Sequence, residues 1–347
     1  MTTPAPVYHL ALRDLHAAAG ASFSVASGWS LPVSYGDVPD EHEAVRSNAG
    51  VFDRSQRSRF LVTGTDAGDV LAAVFAGHVN ELDEGRAMRT VALDAEGSIR
   101  DLVLIARTGG IAYMVSGEPG QRFETLARLQ GAVAADFDAR IDDRTESTVL
   151  LGLAGPNAAQ VARDHLSDAL PARLQSLHCV TFEFHGFRAL AVRTSDTGED
   201  GFEFMLAPAV AQHVIETLNA AGVRLVGHQS LEIARVEACI PAFEPDLVPG
   251  LSPAEADLDV LLGVPGGRAR RILSGVILDG EPVATGTELQ VKGQSVGEVR
   301  SCVRSPRLNA TIALGIIHVR NAFPGTALRA GPSGATVVAK PFYRRRS

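Results

Sequence analysis

The sequence predicts an α+β protein that ends in a small antiparallel β-barrel, and three observations support this prediction. Segments with strand character alternate with segments of helix character over residues 51–140. The same alternation recurs over residues 141–264. After Gly263 the chain changes to short apolar strands separated by turn residues, as in a small barrel. We therefore expect two α+β domains followed by a barrel domain.

The first 140 residues contain the clearest individual elements. The Ala- and Leu-rich segment YHLALRDLHAAA predicts a helix over residues 8–19, and a turn-rich segment, GWSLPVSYG, follows at 28–36. Between two later strands, Gly97 can adopt the positive φ of a hairpin turn. The other elements predicted here are helices at 41–50, 65–77 and 121–133, and strands at 51–64, 88–94, 99–107 and 111–116.

The remainder of the chain predicts a second α+β region and the barrel. The region from 141 to 264 contains predicted strands at 148–155, 179–195 (a hairpin turning at Gly186) and 201–207, and helices at 156–166, 208–222 and 229–240. From these elements we divide the chain into a discontinuous domain of residues 1–50 and 141–264, a second domain of residues 51–140, and a barrel of residues 265–347.

Composition excludes several classes of protein. A net charge of −8 and an isoelectric point near 5.7 do not suit a nucleic-acid phosphate backbone, so we expect no nucleic-acid partner. The apolar stretches are too short to span a membrane. The N-terminus lacks a basic segment followed by an apolar one, so we expect a cytoplasmic protein.

Several kinds of site are also excluded. The three cysteines are far apart and the histidines lack ligand spacing, so neither a disulfide framework nor a metal site is expected. The chain contains no GxGxxG, GxxxxGK[ST], GxSxG or HExxH motif. Dinucleotide, P-loop, hydrolase and zinc-peptidase chemistries therefore have no support in the sequence.

Three acidic segments are candidate sites. Asp101 begins a strongly apolar strand, where a buried carboxylate would need a partner or a function; the alternative is a residue at the start of the strand that faces solvent. Glu199 lies in the turn TGEDG, where its carboxylate can accept two parallel hydrogen bonds from a flat ligand that presents an amide N–H beside an amino group. The alternative is an ordinary acidic turn without a ligand. Glu232 and Arg235 are three residues apart on a predicted helix, a spacing that also suits an ordinary ion pair on the surface. The Pro-rich segment after this helix contains Glu255 and is long for a loop without a function.

Taken in order, segments along nearly the whole chain resemble the glycine-cleavage T-protein family. GWSLPVSYG (28–36) is similar to the family's GWEMPvqYg, and RTSDTGEDGFEF (193–204) is similar to R..YTGEDGyEi. Further similar segments are HEAVRSNAGVFD (42–53), LDAEGSIRDLVL (93–104), LAGPNAA (153–159), LEIARVEACIPAFEPDLVPGLSPAEADLDVLLG (231–263) and EVRSCVRSPRLNATIALGIIHVRNAFPGT (298–326).

The resemblance implies a fold, a cofactor and roles for particular residues. It implies a tripartite fold with tetrahydrofolate in a central hole, the domain of residues 1–50 and 141–264 being the folate-binding one. It places Asp101 near the reactive folate nitrogens and Glu199 at the edge of the pterin. By the same resemblance Arg235, Glu255 and Tyr113 are expected to contact the cofactor. The implied activity is one-carbon transfer, methyl or aminomethyl, by a monomer or homodimer.

Departures from the family pattern bear on the substrate. Arg100 precedes Asp101 where the family has a second aspartate, Asp196 replaces a tyrosine, and Arg89 aligns with a position that can be tyrosine. We therefore expect a small one-carbon donor rather than a lipoylated carrier protein. An anionic donor would suit Arg89 and Arg100, although both also suit solvent-facing strand positions, and Asp196 is a further candidate donor contact.

Two other functions remain open at this point. One is a folate-binding accessory protein without catalysis, although the chain lacks the cysteine-containing signature of the iron–sulfur-assembly branch at residues 243–263. The other is a folate-independent enzyme of small-molecule biosynthesis in which the site has been repurposed.

Overall fold

The computed structural model describes residues 6–134, 136–264 and 267–345. Its strands are β1 (Tyr8–His9), β2 (Ser22–Ala26), β3 (Trp29–Ser34), β4 (Gly50–Asp53), β5 (Ser58–Thr63), β6 (Ala87–Leu93), β7 (Ile99–Gly109), β8 (Ala112–Gly117), β9 (Arg140–Asp143), β10 (Val149–Ala154), β11 (Cys179–Phe184), β12 (Phe187–Val192), β13 (Gly201–Leu206), β14 (Arg224–Leu225), β15 (Arg271–Leu278), β16 (Glu288–Val291), β17 (Gln294–Ser305), β18 (Ala310–His318), β19 (Ala327–Ala330) and β20 (Ser333–Val338).

Its α-helices are α1 (Arg13–Ala18), α2 (Val38–Ser47), α3 (Ala67–Val74), α4 (Arg122–Ala132), α5 (Ala158–His165), α6 (Ala169–Arg173), α7 (Pro208–Ala220), α8 (His228–Glu237), α9 (Phe243–Asp246) and α10 (Asp259–Leu262).

The described chain divides into two compact units. The first contains the residues up to Ala92 together with Asp101–Ser195 and Glu199–Ser230. The second contains Leu93–Arg100, Asp196–Gly198 and the chain from Leu231 onward. The three-domain division made from the sequence remains a prediction, and its barrel boundary falls on residues 265–266, which lie outside the described residues.

A five-stranded sheet, ordered β6-β7-β8-β5-β9, forms one half of the first unit. Its strands β6, β7 and β8 confirm three predicted strands, whereas β9 was missed. One face of this sheet packs against α3 and α4, where a buried cluster includes Phe60, Val103 and Ile105 from the strands and Leu71 and Leu129 from the helices.

A six-stranded sheet, ordered β11-β12-β13-β10-β4-β14, forms the other half. The predicted hairpin is confirmed as β11 and β12, with Gly186 at φ +83° in its turn. Apolar residues of α5 and α7, among them Ala162 and Val214, cover one face and pack on Phe202 and Phe204 of β13. The predicted helices at 156–166 and 208–222 are therefore confirmed.

The N-terminal segment differs from its prediction. Residues 8–19 are not one helix, because Tyr8–His9 pair in parallel with Trp29–Ser30 and only Arg13–Ala18 are helical. The turn-rich segment 28–36 contains strand β3. Tyr8 stacks on Trp29 with ring centroids 5.1 Å apart, so a tertiary contact overrides the helix preference of the local sequence.

The second unit contains a closed barrel of six strands, ordered β15-β18-β17-β16-β19-β20. Its pairs are antiparallel, and its interior is filled by side chains such as Val276, Leu289 and Ile317. The predicted C-terminal antiparallel barrel is therefore confirmed, as is the α+β class of the whole chain.

Candidate functional site

A cavity lies between the two large sheets of the first unit. Its closed volume is about 20 Å³, room for about one water molecule, and it reaches about 320 Å³ only when the gaps between atoms and the space open to solvent are included. The five-stranded sheet contributes Arg59, Leu104, Ala106, Met114 and Ser116, and the six-stranded sheet contributes Leu150, Leu190, Val192, Glu203 and Met205. Most of these side chains are apolar, so the few polar ones define where a ligand could be held by hydrogen bonds.

Arg59 is a buried cation whose N–H groups are already used. Its Nε donates to Thr148 Oγ1 at 2.8 Å, and its Nη1 donates to the carbonyl oxygens of Ser55 and Arg57. Its Nη2 donates to the carbonyl oxygens of Thr145 and Thr148. Burial lowers the pKa of Arg59 to about 10, with Asp53, Asp143 and Glu203 acting against this effect. Arg59 therefore stays charged at neutral pH but forms no direct hydrogen bond to Glu203.

Glu203 is the carboxylate on the cavity wall. Only 7% of the residue is exposed. Among the described residues its side chain makes no hydrogen bond or close ion pair, and the charge of Arg59 attracts it over a longer distance. A buried carboxylate costs several kcal/mol when it is unpaired. Such a group is characteristic of a site that a ligand completes.

Ser116 is a second candidate polar group, on the wall that the five-stranded sheet contributes. Its hydroxyl is buried and, within the described part of the chain, has no hydrogen-bond partner. Ser116 pairs with Arg59 across β5 and β8. Because Arg59 also feels the charge of Glu203, the three polar groups mark one polar region of an otherwise apolar cavity.

Asp101 is buried beneath the helices of the five-stranded sheet. Its Oδ2 accepts a hydrogen bond from Thr125 Oγ1 at 2.6 Å, and its Oδ1 accepts one from the Glu118 N–H at 3.0 Å. Burial raises the pKa of Asp101 to about 7, although these two hydrogen bonds lower it. Asp101 is thus a buried carboxyl that ties β7 to the beginning of α4.

Gly117 leaves the space that the Asp101 carboxyl occupies. A Cβ on Gly117 would lie 2.7 Å from Asp101 Oδ2 and 2.9 Å from Ser58 Oγ. The Ser58 hydroxyl is itself buried and without a hydrogen-bond partner among the described residues. Close packing around Asp101 therefore requires glycine at position 117.

Asp101 and Tyr113 lie on the helix-covered face of the sheet. Side chains alternate along a strand, so Asp101, Val103 and Ile105 point one way while Leu104 and Ala106 point the other. Val103, Ile105 and Tyr113 belong to the helix-side core, whereas Leu104 and Ala106 line the cavity. Asp101 and Tyr113, which the sequence predicted to contact the cofactor, therefore lie on the face of the sheet opposite the cavity.

Glu199 has a buried partner. Arg46 Nη1 of α2 donates to Glu199 Oε1 at 3.1 Å, and the two side chains are 0% and 2% exposed. The turn itself is shaped by Gly198, whose φ is +82° and whose Cβ would lie 2.6 Å from Ala238 Cβ. The ion pair anchors the turn to α2 and already uses one oxygen of the carboxylate predicted to hold the pterin.

Arg235 and Glu255 lie in the second unit and make contacts within it. Arg235 donates to Glu232, Asp246 and the hydroxyl of Ser301, so this buried guanidinium is neutralised by protein carboxylates. Glu255 Oε1 accepts from the Arg270 N–H at 3.3 Å, just before β15. These contacts favour structural roles, and the predicted cofactor contacts of both residues stay predictions.

The candidate donor contacts also fall in different units. In the first unit, Arg89 on β6 donates to Thr194 Oγ1 at 2.7 Å. In the second, Arg100 is partly buried and helps to lower the pKa of Asp94, after the larger effect of the Ser98 N–H. Asp196 begins the turn that contains Glu199 and is also partly buried. Their predicted contact with a donor stays a prediction.

Glu203 is the functional candidate that sequence reasoning missed. It lies in the strand GFEFMLA, four residues after Glu199, and the apolar residues around it could have marked it. A single carboxylate inside an apolar strand is the same signal that singled out Asp101.

Two family models match the chain. The GCVT N-terminal domain matches residues 12–265, and the glycine cleavage T-protein C-terminal barrel domain matches residues 270–344. This chain belongs to the glycine-cleavage T-protein family. It is therefore a member of a family of one-carbon transferases that depend on tetrahydrofolate, as the sequence motifs predicted.

Relatives of this T-protein family member match over its full length. The chain is 32% identical to the aminomethyltransferase of Streptomyces avermitilis, over 99% of this chain and 100% of that protein. It is also 32% identical to the aminomethyltransferase of Rubrobacter xylanophilus, over 96% and 94% of the two chains. The crystal structure of glycine cleavage system aminomethyltransferase T from Bartonella henselae superposes with a TM-score of 0.88 at 25% identity and covers 98% of this chain and 99% of that one.

No helix within the described residues is both long and apolar enough to cross a bilayer. The same residues contain no group of three or more His, Cys, Asp or Glu side chains placed to hold a metal ion.

Proposed function

We propose that this protein transfers a methyl or aminomethyl group between a small donor and tetrahydrofolate, acting as a transferase or demethylase. Family membership supports the reaction class, and one structural observation carries the binding site: the unpaired carboxylate of Glu203 in an apolar cavity between two sheets. When bound, tetrahydrofolate would supply the nitrogen that carries the one-carbon unit.

The polar groups on the cavity walls match the edge of a pterin, but the cavity has to widen to admit the ring, because its closed volume is about 20 Å³. A pterin is flat and presents an amino group beside a ring N–H, an edge that a carboxylate can accept through two parallel hydrogen bonds. Glu203 supplies the carboxylate, Ser116 can add a hydroxyl contact, and side chains such as Leu104 and Leu190 supply apolar walls. Both unsatisfied polar groups would then be satisfied by one ligand.

The geometry favours Glu203 over Glu199 as the pterin acceptor. The carboxylate of Glu199 is bound to the buried Arg46, and pairing it with a ligand would require sharing that contact. Glu203 has no such protein partner among the described residues. We therefore propose that Glu203 binds the pterin while Glu199 fixes the turn. The sequence-based assignment of Glu199 remains the competing hypothesis.

Asp101 is proposed as a positioning residue. Its hydrogen bonds to the Glu118 N–H and the Thr125 hydroxyl hold the chain between β8 and α4 in place. Its orientation toward the helices does not favour the predicted contact with the folate nitrogens. If Asp101 does contact them, Asp101→Asn will abolish turnover without altering the affinity for tetrahydrofolate.

The donor is proposed to be small and anionic. Arg89 and Arg100 are the cations that the sequence places around the Asp101 hairpin, and Asp196 is a third polar candidate. An Arg100→Ala protein that is inactive but binds tetrahydrofolate normally would support this assignment. Unchanged turnover would remove it.

Calorimetric titration with tetrahydrofolate under reducing conditions tests the proposed function. Wild type should bind micromolar ligand, Glu203→Ala should lose binding, and Glu199→Ala should retain it. Loss in Glu199→Ala alone would restore the sequence-based assignment. No binding by wild type would overturn the proposal.

A second candidate is a member that binds folate without catalysing transfer. It is favoured by the position of the Asp101 carboxyl, which is bound to the Thr125 hydroxyl and the Glu118 N–H on the helix-covered face of the sheet. Folate binding without turnover of any methylated donor would support it. Absence of folate binding would instead favour a folate-independent enzyme.

The cytoplasm remains our proposed compartment. Cys179, Cys239 and Cys302 are free, as expected where thiols stay reduced. We propose a monomer or homodimer in solution.

A further inference from the structure

Two histidines from distant parts of the sequence meet on the surface of the first unit. His185 lies in the turn between β11 and β12, and His213 lies on α7. Their ring centroids are 4.9 Å apart, and the ring planes are inclined by 60°. Both residues are exposed, and neither lines the cavity between the sheets. Imidazole is the commonest protein ligand of transition-metal ions, so two adjoining imidazoles are a candidate metal site.

The turn that carries His185 usually selects other residues. Phe184 pairs with Phe187, so His185 and Gly186 form a two-residue hairpin loop. Their φ angles are +48° and +83°, both positive as a type I′ turn requires. Asn, Asp and Gly are the residues that such a turn prefers at its first position. Histidine can adopt this backbone conformation but is not among them, which points to a use for the imidazole.

Both imidazoles rest on one buried aromatic ring. Phe184 is 2% exposed, and its ring centroid is 4.5 Å from that of His185 and 5.3 Å from that of His213. This packing holds the two imidazoles side by side. Less conformational freedom is therefore lost when they bind an ion than two unsupported surface histidines would lose.

The separation of the two rings suits a shared ion. An ion that binds an imidazole nitrogen at about 2.1 Å lies roughly 3.2 Å from the ring centroid. Two centroids 4.9 Å apart then make an angle of about 100° at the ion. This angle lies between the values of about 90° and about 109° found in square-planar and tetrahedral sites. Rotation about χ2, which is broad for histidine, can direct one nitrogen of each ring at the ion.

A carboxylate lies behind one of the two imidazoles. Glu216 Oε2 is 3.9 Å from His213 Nδ1, and Glu216 Oε1 accepts a hydrogen bond from the Gln212 side chain at 2.8 Å. Histidines that bind metals commonly direct their second ring nitrogen at a carboxylate, which orients the ring and raises its basicity. In this arrangement Nε2 of His213 is the nitrogen that faces the ion.

We propose that His185 and His213 bind a divalent transition-metal ion on the surface of the first unit, and that Cu²⁺ binds most tightly. The order of stability among divalent first-row ions places Cu²⁺ above the others. Two protein ligands are fewer than the three or four of catalytic and structural zinc sites, so water completes the coordination and the affinity lies in the micromolar range. This site is additional to the proposed one-carbon transfer and does not depend on it.

The test is titration of the metal-free, full-length protein with Cu²⁺, followed by calorimetry and electron paramagnetic resonance. Wild type should bind Cu²⁺ with the hyperfine pattern of two imidazole nitrogens. His185→Asn keeps a residue that the turn accepts, and His213→Gln keeps a good helix former. Each variant retains one imidazole, so the loss of the second, intramolecular ligand should weaken binding at least about tenfold.

His78→Gln is the matched control. His78 is an exposed histidine whose Nδ1 lies 3.4 Å from Glu81, a carboxylate three residues later, as Glu216 is from His213. Among the described residues no second imidazole contacts His78. The control variant should therefore bind Cu²⁺ with the affinity of wild type and show the same two-nitrogen pattern.

Thermal unfolding supplies a second readout. A bound ion joins the hairpin turn to α7, so Zn²⁺ should raise the melting temperature of wild type and of His78→Gln. It should leave those of His185→Asn and His213→Gln unchanged. The two variants alter different elements, so either one that keeps the wild-type melting temperature without metal is sufficient for the test.

Three results would overturn the proposal. They are no micromolar binding by wild type, equal affinity in wild type and the two site variants, or a wild-type spectrum with a single coordinated nitrogen. The last two would identify an adventitious ion only. None of them bears on tetrahydrofolate binding, so failure of this proposal is distinguishable from failure of the proposed function.

Discussion

Replacing Glu203 with glutamine tests the binding site through two opposite effects. Glutamine keeps the shape of the side chain but removes its charge, and it can accept only one of the two hydrogen bonds from a pterin edge. A hydrogen bond to a charged group contributes about 1.5–3 kcal/mol. Tetrahydrofolate should therefore bind roughly 10- to 100-fold more weakly.

The same change should stabilise the ligand-free protein. Glu203 is 7% exposed, and the N–H groups of nearby Arg59 are bonded to other oxygens. Removing a buried charge that lacks a direct partner relieves its desolvation cost, and the loss of the longer-range attraction to Arg59 acts against this gain. We expect a gain of about 1 kcal/mol, or roughly 2 °C in melting temperature.

The assays are calorimetric titration for affinity and thermal unfolding for stability, each on wild type and Glu203→Gln. Weaker binding together with higher stability would identify Glu203 as a group kept for its ligand at a cost to the fold. Equal affinity in the two proteins would refute the assignment of Glu203. Lower stability would show that its carboxylate is paired in the free protein.

Three further predictions concern the neighbouring groups. Glu199→Ala leaves the buried Arg46 without this carboxylate and should lower the free energy of unfolding in urea by about 3 kcal/mol. The folded variant should bind tetrahydrofolate with an affinity within about threefold of that of wild type. A variant of normal stability that has lost affinity would contradict this prediction. Burial raises the pKa of Asp101 from 3.8 to about 7, so between these values the folded state keeps a proton on Asp101 that the unfolded state releases. Wild type should therefore lose stability as the pH rises from 4 to 7, by at most about 4 kcal/mol. Parallel curves of stability against pH for wild type and Asp101→Asn would refute this prediction. Gly117→Ala would place a Cβ 2.7 Å from Asp101 Oδ2. This close contact should lower the free energy of unfolding by about 1–3 kcal/mol in the same urea assay. An unchanged free energy of unfolding would show that the carboxyl can move aside.

Elements with strong periodic patterns could be predicted from the sequence, and those formed by distant contacts could not. Strands β6 to β8 are rich in apolar and β-branched residues and are bounded by turns, and their limits agree with the prediction to within about two residues. The short strand β9 carries two aspartates and owes its place to pairing with β5. Likewise β1 is held by its pairing with β3 and by the stacking of Tyr8 on Trp29, contacts that no local pattern reveals.

The candidate site shows the same division. The sequence correctly marked Asp101 as a carboxylate entering a buried strand. It could not show which face of β7 is covered by helices, and that face decides whether Asp101 meets Thr125 or the cavity. The choice between Glu199 and Glu203 depends on Arg46, which is 153 residues away from Glu199 along the chain.

A crystal structure of the protein with bound 5-formyltetrahydrofolate would test the central claim most directly. The account predicts the pterin between the two sheets of the first unit, with its amino and ring N–H groups within about 3 Å of the Glu203 oxygens. A pterin bound to the Glu199 carboxylate, or lying outside this cavity, would contradict it.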